Sequence, residues 1–177
     1  MKNSKTETSE KDSDHQMMII TYGDPVLRKR AAEIKNINNE IKKTADDMIR
    51  VMHTAPGIGL AAPQINQSIR LVTIDLSVGE RKEDLIVLVN PKIISQEGLD
   101  EEEEGCLSVP GINEKVERSF RVECIGYDLD EKEKKIEAQG LLARVISHEI
   151  DHLNGKLFID HLSPLKKSLI KKKLKKQ

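Results

Sequence analysis

The stretch LLARVISHEIDHLNG (141–155) decides the reading of this chain. Leu141, Val145, His148 and His152 recur at steps of 4, 3 and 4, the period of one helical face, and Asn154-Gly155 supplies a stop signal. Two histidines therefore continue an apolar line. On a helix, residues i and i+4 differ by only ~40° while rising ~6 Å, so the HExxH pattern His148-Glu149-Ile150-Asp151-His152 aims both imidazoles at one point, where a metal can sit. Glu149 stands one residue past the first of them. It reaches a water on such a metal without being a ligand, which is the place a general base needs. The competing reading is two surface histidines on a charged helix, and the inward direction expected of the Leu141–Val145 line speaks against it.

Working outward, Ile37, Ile41, Ala45, Met48 and Met52 mark one stripe of a helix over about residues 38–53, stopped by Pro56-Gly57. A Gly-rich turn, GIGLAAPQ (57–64), leads into three runs that read as strands: IRLVTIDL (69–76), LIVLVNP (85–91) and KIISQ (92–96). RVECIGYDLD (121–130) and KKIEAQG (134–140) flank a polar turn and read as a hairpin, with Val122 and Cys124 on one face. After the histidine helix, Ser163 as N-cap and Pro164 open a last helix carrying Leu165, Leu169, Ile170 and Leu174 among seven lysines. Leu165 and Leu169 are expected to pack on the domain. The fold class is therefore α+β, with mostly antiparallel strands around a central HExxH helix, an N-terminal helix and a C-terminal basic helix. Three parts are expected: a disordered tail at 1–16, one catalytic domain over 17–163, and the basic helix at 164–177. The tail has one apolar residue, Met1, and is too acidic for a mitochondrial presequence; Met17 or Met18 is an alternative start.

Composition removes several function classes. The 29 Lys+Arg nearly balance 30 Asp+Glu, so overall charge points to no nucleic acid, membrane or acidic partner. The only aromatics are Tyr22, Phe120, Tyr127 and Phe158, with no Trp, which argues against base-stacking platforms and sequence-specific nucleic acid binding. Two cysteines make no disulfide framework, and no apolar run approaches the ~18 residues of a membrane span. A reducing, cytoplasmic setting fits these features.

A catalytic metal of this type needs a third protein ligand and one open position. The pattern HExxHxxGxxH matches as far as Gly155 but requires His where this chain has Phe158, and Asp160 is the last acidic residue, only eight positions past His152. The third ligand is thus expected upstream, where two thiols are available. Cys124 sits in an alternating strand pattern and reads as a small buried hydrophobe. Cys106 lies between glycines in EGCLSVPG (104–111) and is the better ligand, since a bound metal would hold its thiolate below the free value of about 8.5.

GIGLAAPQ (57–64), EGCLSVPG (104–111) and HEIDH (148–152), in that order, resemble the three motifs of bacterial peptide deformylases, and the similarity extends from about Met18 through SPLKK near the C-terminus. The resemblance implies removal of the formyl group from the N-terminal formyl-methionine of newly made proteins, with water as nucleophile. It implies Cys106, His148 and His152 as metal ligands and Glu149 as general base and acid. Gln64 and the backbone N–H of Leu107 would donate to the formyl oxygen, and backbone groups of Ile58, Gly59 and Gly105 would hold the peptide extended. Leu141 and Val145, on the histidine line, should wall a pocket for methionine. Arg144, next to that face, is expected in solvent, with a peptide contact as the alternative. A Cys-His-His set suits zinc, ferrous iron, cobalt or nickel; the resemblance implies Fe(II) in the cell, with zinc, nickel or cobalt found in its place after purification.

Two rival classes share some of these features. A general metallopeptidase would use the same HExxH chemistry. A non-catalytic ribosome- or RNA-associated module with a structural metal is suggested by the lysine helix, although closed structural sites usually take four protein ligands and three are seen. The same helix suggests a ribosome contact for an enzyme acting on nascent chains. The acidic run Asp100–Glu103 reads as solvated charge, while Glu104 belongs to the second motif.

Overall fold

Asn38 opens the first helix by accepting the Ile41 N–H on its side chain at 3.0 Å, and α1 runs Asn39–Thr54. The computed structural model describes residues 18–175, so the tail expected at 1–16 lies outside the described residues. Ala45, Met48 and Met52 are fully buried along the helix, as their spacing requires of a core face.

Seven strands follow. β1 (Gly59–Ala61), β2 (Leu71–Ile74), β3 (Ile86–Glu97), β6 (Arg121–Tyr127) and β7 (Glu133–Gln139) form one sheet in the order β1-β2-β3-β6-β7; β4 (Asp100–Gly105) and β5 (Asn113–Arg118) form a second. Every ladder is antiparallel. The hairpin of β6 and β7 lies where expected, with Val122 and Cys124 buried.

Two expectations change, and a third gains detail. The Gly-rich turn contains the edge strand β1, followed by a 3-10 turn over Ala62–Ile65. The two runs 85–91 and 92–96 are a single strand, β3, because its ladder with β6 shifts register between Val89 and Lys92 rather than ending. Pro91 offers no N–H, which a bulge tolerates, and Asn90 takes φ 51° there while its side chain pairs with both backbone groups of Ile34. The acidic run is solvated, as expected, and its backbone forms β4. Glu101, Glu102 and Glu103 are solvated, but Glu104 turns inward and is buried.

α2 (Leu141–Leu153) lies on the larger sheet, packing Ala143, Val145, Ile146, Ile150 and Leu153 against Val72, Ile74, Leu88, Val122 and Cys124. Each buried valine, leucine or isoleucine among them contributes about 1.5–3 kcal/mol, which anchors the histidine helix to the sheet. A second core joins Leu157, Phe158, Ile159 and Leu162 to Val109, Ile112 and Val116 beside β5. α3 (Pro164–Leu174) starts at Ser163, whose hydroxyl accepts the Lys166 N–H. Its inward line is not the expected one: Leu165 and Leu169 are 71% and 57% exposed, while Ile170 is buried and Leu174 packs beside it. Lys166 paired with Glu114, and Lys173 donating to Gly111 O, fix that rotation. The result is an α+β fold with antiparallel sheets and three helices; among the described residues no helix is long and apolar enough to cross a membrane.

Candidate functional site

α2 delivers two imidazoles to one point, and the loop leaving β4 delivers a thiol. Cys106 Sγ lies 3.3 Å from His152 Nε2, which lies 3.2 Å from His148 Nε2. The three ligand atoms fall within 4.8 Å of one another. A tetrahedral ion with bonds of about 2.0–2.3 Å would hold its ligands roughly 3.3–3.6 Å apart, so these residues fit one with little adjustment. His148 Nδ1 is 3.1 Å from Glu104 Oε2. That carboxylate accepts a hydrogen bond from Nδ1–H and so leaves the Nε2 lone pair turned toward the cluster, the usual outer support of a metal-ligating histidine. Burial alone would raise the Cys106 thiol, but the charge of His152 and hydrogen bonds from both imidazoles hold it well below its ordinary value. The thiolate, the ligating form, is favoured.

Glu149 lies beside this cluster and is 4% exposed. Its Oε2 and His152 Nδ1 are buried atoms without a hydrogen-bond partner among the described residues. Burial pushes the Glu149 carboxyl up and the Cys106 thiolate adds to it, with His148, His152 and Arg118 opposing. Gly59 explains how the carboxylate fits: a Cβ there would stand 2.3 Å from Glu149 Oε1 and 2.9 Å from Val145 Cγ1. The glycine of the first motif is a space requirement.

Gln64, buried in the 3-10 turn after β1, is held at both ends of its amide. Oε1 accepts the Ala61 N–H at 2.8 Å, and Nε2 donates to Ser108 Oγ at 3.1 Å and points at Cys106 Sγ, 3.6 Å away. Ile20 N–H to Gln64 O and Tyr22 N–H to Ser108 O strap the segment before α1 across both motifs. A groove of about 560 Å³ opens over the cluster, lined by Ile58, Gly59, Gln64, Gly105, Leu107 and Val145 among others. β1 pairs only with β2, and β4 only with β5, so each keeps an unpaired backbone edge. The Ile58 carbonyl already accepts the Asp75 N–H, while its own N–H makes no backbone hydrogen bond among the described residues.

Two expectations about α2 need correction. Val145 is buried in the groove wall, but Leu141, in the first turn, is 55% exposed and forms the rim rather than an inward wall. Arg144 is not in solvent, although it also borders the groove. It is buried, with Nη1 donating to Glu104 Oε1 and Val116 O and Nη2 to Asp100 O, each at 2.8 Å.

Sequence reasoning missed Arg118 altogether. Buried at the end of β5, it grips Glu104 with two bonds of 2.7 and 3.0 Å and Asp151 with one of 2.6 Å. Held this way, and by the hydrogen bond from His148, the Glu104 carboxyl is lowered to about 2 despite the opposing effect of burial. The period-2 burial of Val116 and Arg118 was the available signal, hidden by the surrounding charges. Phe158, where the longer histidine pattern would need a ligand, is buried and stacks on His148 with ring centroids 6.2 Å apart. Cys124 stays away from the site, its thiol pushed up to about 11 by burial.

Comparison with known proteins points to one family. The family described as polypeptide deformylase matches residues 16–168. A peptide deformylase of Thermodesulfovibrio yellowstonii is 51% identical over 157 residues, covering 89% of this chain and 95% of its own length; that of Syntrophobacter fumaroxidans is 48% identical over 159 residues, covering 90% and 94%. A crystal structure of a peptide deformylase from Legionella pneumophila has a TM-score of 0.84 at 44% identity, covering 89% of this chain and 92% of that one. One from Synechococcus elongatus, in complex with actinonin, has a TM-score of 0.85 at 40% identity, covering 90% and 88%.

Proposed function

The chain belongs to the polypeptide deformylase family, whose enzymes remove the N-formyl group of nascent peptides, and from that premise we propose a metal-dependent hydrolysis of N-terminal formyl-methionine that releases formate. The observation that carries this reading is the convergence of one thiol and two imidazoles within 4.8 Å, beside a buried carboxylate with an unpartnered oxygen.

Cys106, His148 and His152 would hold the ion, which supplies Lewis acidity and a water acidified from 15.7 toward ~7. Glu149 takes the proton of the attacking water and later returns it to the leaving amine. Its raised affinity for a proton suits a group that must carry one between two steps. As charge builds on the formyl oxygen, Gln64 Nε2 and the Leu107 N–H donate to it; removing one such donor typically costs ~2.7–4 kcal/mol. The Ile58 N–H and backbone groups of Gly59 and Gly105 hold the peptide extended between the free edges of β1 and β4, by strand addition. Val145, with Leu141 at the rim, contacts the methionine side chain. Residues 17–163 form the catalytic domain, and 164–177 a basic extension that contacts the ribosome through the lysines of α3, in the cytoplasm.

The resident ion is Fe(II), with zinc, nickel or cobalt able to replace it. Metal-defined preparations assayed on formyl-methionyl peptides and on blocked peptides with only internal amides test the whole reading. Turnover of the formyl peptide alone, lost on chelation and air-sensitive only in the iron form, is expected. Cleavage of internal amides at a similar rate would mark a general metallopeptidase, and equal, air-stable activity of iron and zinc forms would remove the iron assignment.

A further inference from the structure

The molecule has a cavity larger than the groove over the Cys106–His148–His152 cluster. It is a cleft of about 650 Å³ behind α2, reached by the opposite side of that helix through Ser147, Ile150, Asp151 and Asn154. Nothing in the deformylation chemistry uses it. Its floor holds Arg70, which is only 8% exposed and has neutral partners alone: Leu153 O at 3.3 Å, Asn154 Oδ1 at 3.1 Å and Pro91 O at 3.1 Å. Among the described residues no carboxylate lies within ion-pair distance of it, and its Nε–H has no acceptor.

A guanidinium cannot shed its proton to escape burial, so the charge persists in the cleft. Burial and the neighbouring Arg30 both lower its pKa, with Glu33 opposing, so the field is still net unfavourable to the cation. The C-terminal carbonyls of α2 offset the charge only partly, since a helix end carries about half an elementary charge. Arg30, Lys92 and Lys156 also line the cleft and are free of ion pairs among the described residues, against the carboxylates of Glu33 and Glu117. Arg118 and Asp151 neutralise one another at the inner wall, where His161 Nε2 also meets Asp151 Oδ2 at 2.7 Å. Four unpaired cations thus face two carboxylates around one concavity.

We propose that this cleft is a binding site for a small phosphate-class anion, with Arg70 at its base and Arg30, Lys92 and Lys156 closing on the ligand from the rim. An arginine base gives directional N–H donors to phosphoryl oxygens, and mobile lysines add charge without fixed geometry. The cleft is lined by no Phe, Tyr or Trp, and its one imidazole, His161, is tied to Asp151, so a nucleobase or unpaired RNA finds little stacking surface and the observations favour inorganic phosphate or pyrophosphate.

The test is calorimetric titration of the full-length, metal-loaded protein at physiological ionic strength with phosphate, pyrophosphate, citrate and a short RNA duplex. Pyrophosphate should bind saturably and more tightly than phosphate, with citrate weaker than both. The exposed double substitution Lys92→Ala/Lys156→Ala should weaken pyrophosphate at least tenfold with no change in ligand-free Tm. Arg70→Gln should abolish binding, and because Arg70 also clamps the end of α2, circular dichroism must show the variant folded for that result to be read. Absence of pyrophosphate binding in the wild type, equal affinity for citrate, unchanged affinity in the double variant, or RNA binding that pyrophosphate does not displace would each overturn the proposal.

Discussion

Glu104 and Glu149 are both buried to within a few per cent and both lie against His148 and its cluster, yet their carboxyls are driven in opposite directions. Glu104, at the end of β4, is surrounded by donors: Arg118, Arg144 and His148 Nδ1. It is lowered to about 2 and stays a carboxylate. Glu149, on α2, keeps an oxygen with no partner, and burial raises it. Two identical side chains thus acquire different work from their surroundings. The saturated one orients His148, and the unsaturated one suits the proton exchange proposed for it.

The most severe test of this contrast is Glu149→Gln, which should keep the metal, by elemental analysis, and lower kcat about 10²–10⁴-fold, the usual share of a general acid–base group. Metal loss in that variant would make Glu149 a ligand. Glu104→Gln should act first on stability, by about 3–5 kcal/mol in denaturant titration, because Arg118 and Arg144 are left buried beside a neutral amide. The sign of its pH dependence follows from a folded value below the unfolded one. The stabilisation is fully present above about 4.5 and is lost as pH falls toward about 2, so wild type and variant should converge over that window. A pH-independent difference would mean that packing, not charge, sets the cost. Gly59→Ala moves Glu149 while leaving Glu104 untouched, since the new Cβ would stand 2.3 Å from Glu149 Oε1. It should cost about 10²-fold in kcat, as displacements near 1 Å do, with metal retained. Smallest is Ser163→Ala, remote from both carboxylates, which should remove the α3 cap for about 1 kcal/mol or less and leave kcat unchanged.

How much of this was legible follows from what each residue's neighbours are. The Cys106–His148–His152 cluster and Glu149 beside it could be read because helical spacing alone brings His148, Glu149 and His152 together, and because Cys106 sits in a Gly-flanked loop. α1 could be read to within one residue for the same reason. The network that sets the two glutamates apart could not. β4 is a strand with almost no apolar residue, so hydrophobic periodicity is silent there, and its pairing to β5 is long-range backbone bonding. Arg118 and Arg144 look like surface charges until the chain folds and places Glu104 between them. Likewise the inward line of α3 depends on Glu114 and Gly111, far away in sequence, and so fell on Ile170 instead of Leu165 and Leu169.

The thiol and the two imidazoles come from different parts of the architecture, one trailing the small sheet and two carried by a helix bound to the large one. Arg118 and Arg144 act as rivets across that seam. Any loosening of the small sheet would therefore widen the gap between sulfur and nitrogen, and warming is expected to release the ion proposed to sit there ahead of global unfolding. Holding a cofactor, for this chain, is a matter of how tightly two halves of the scaffold are fastened together.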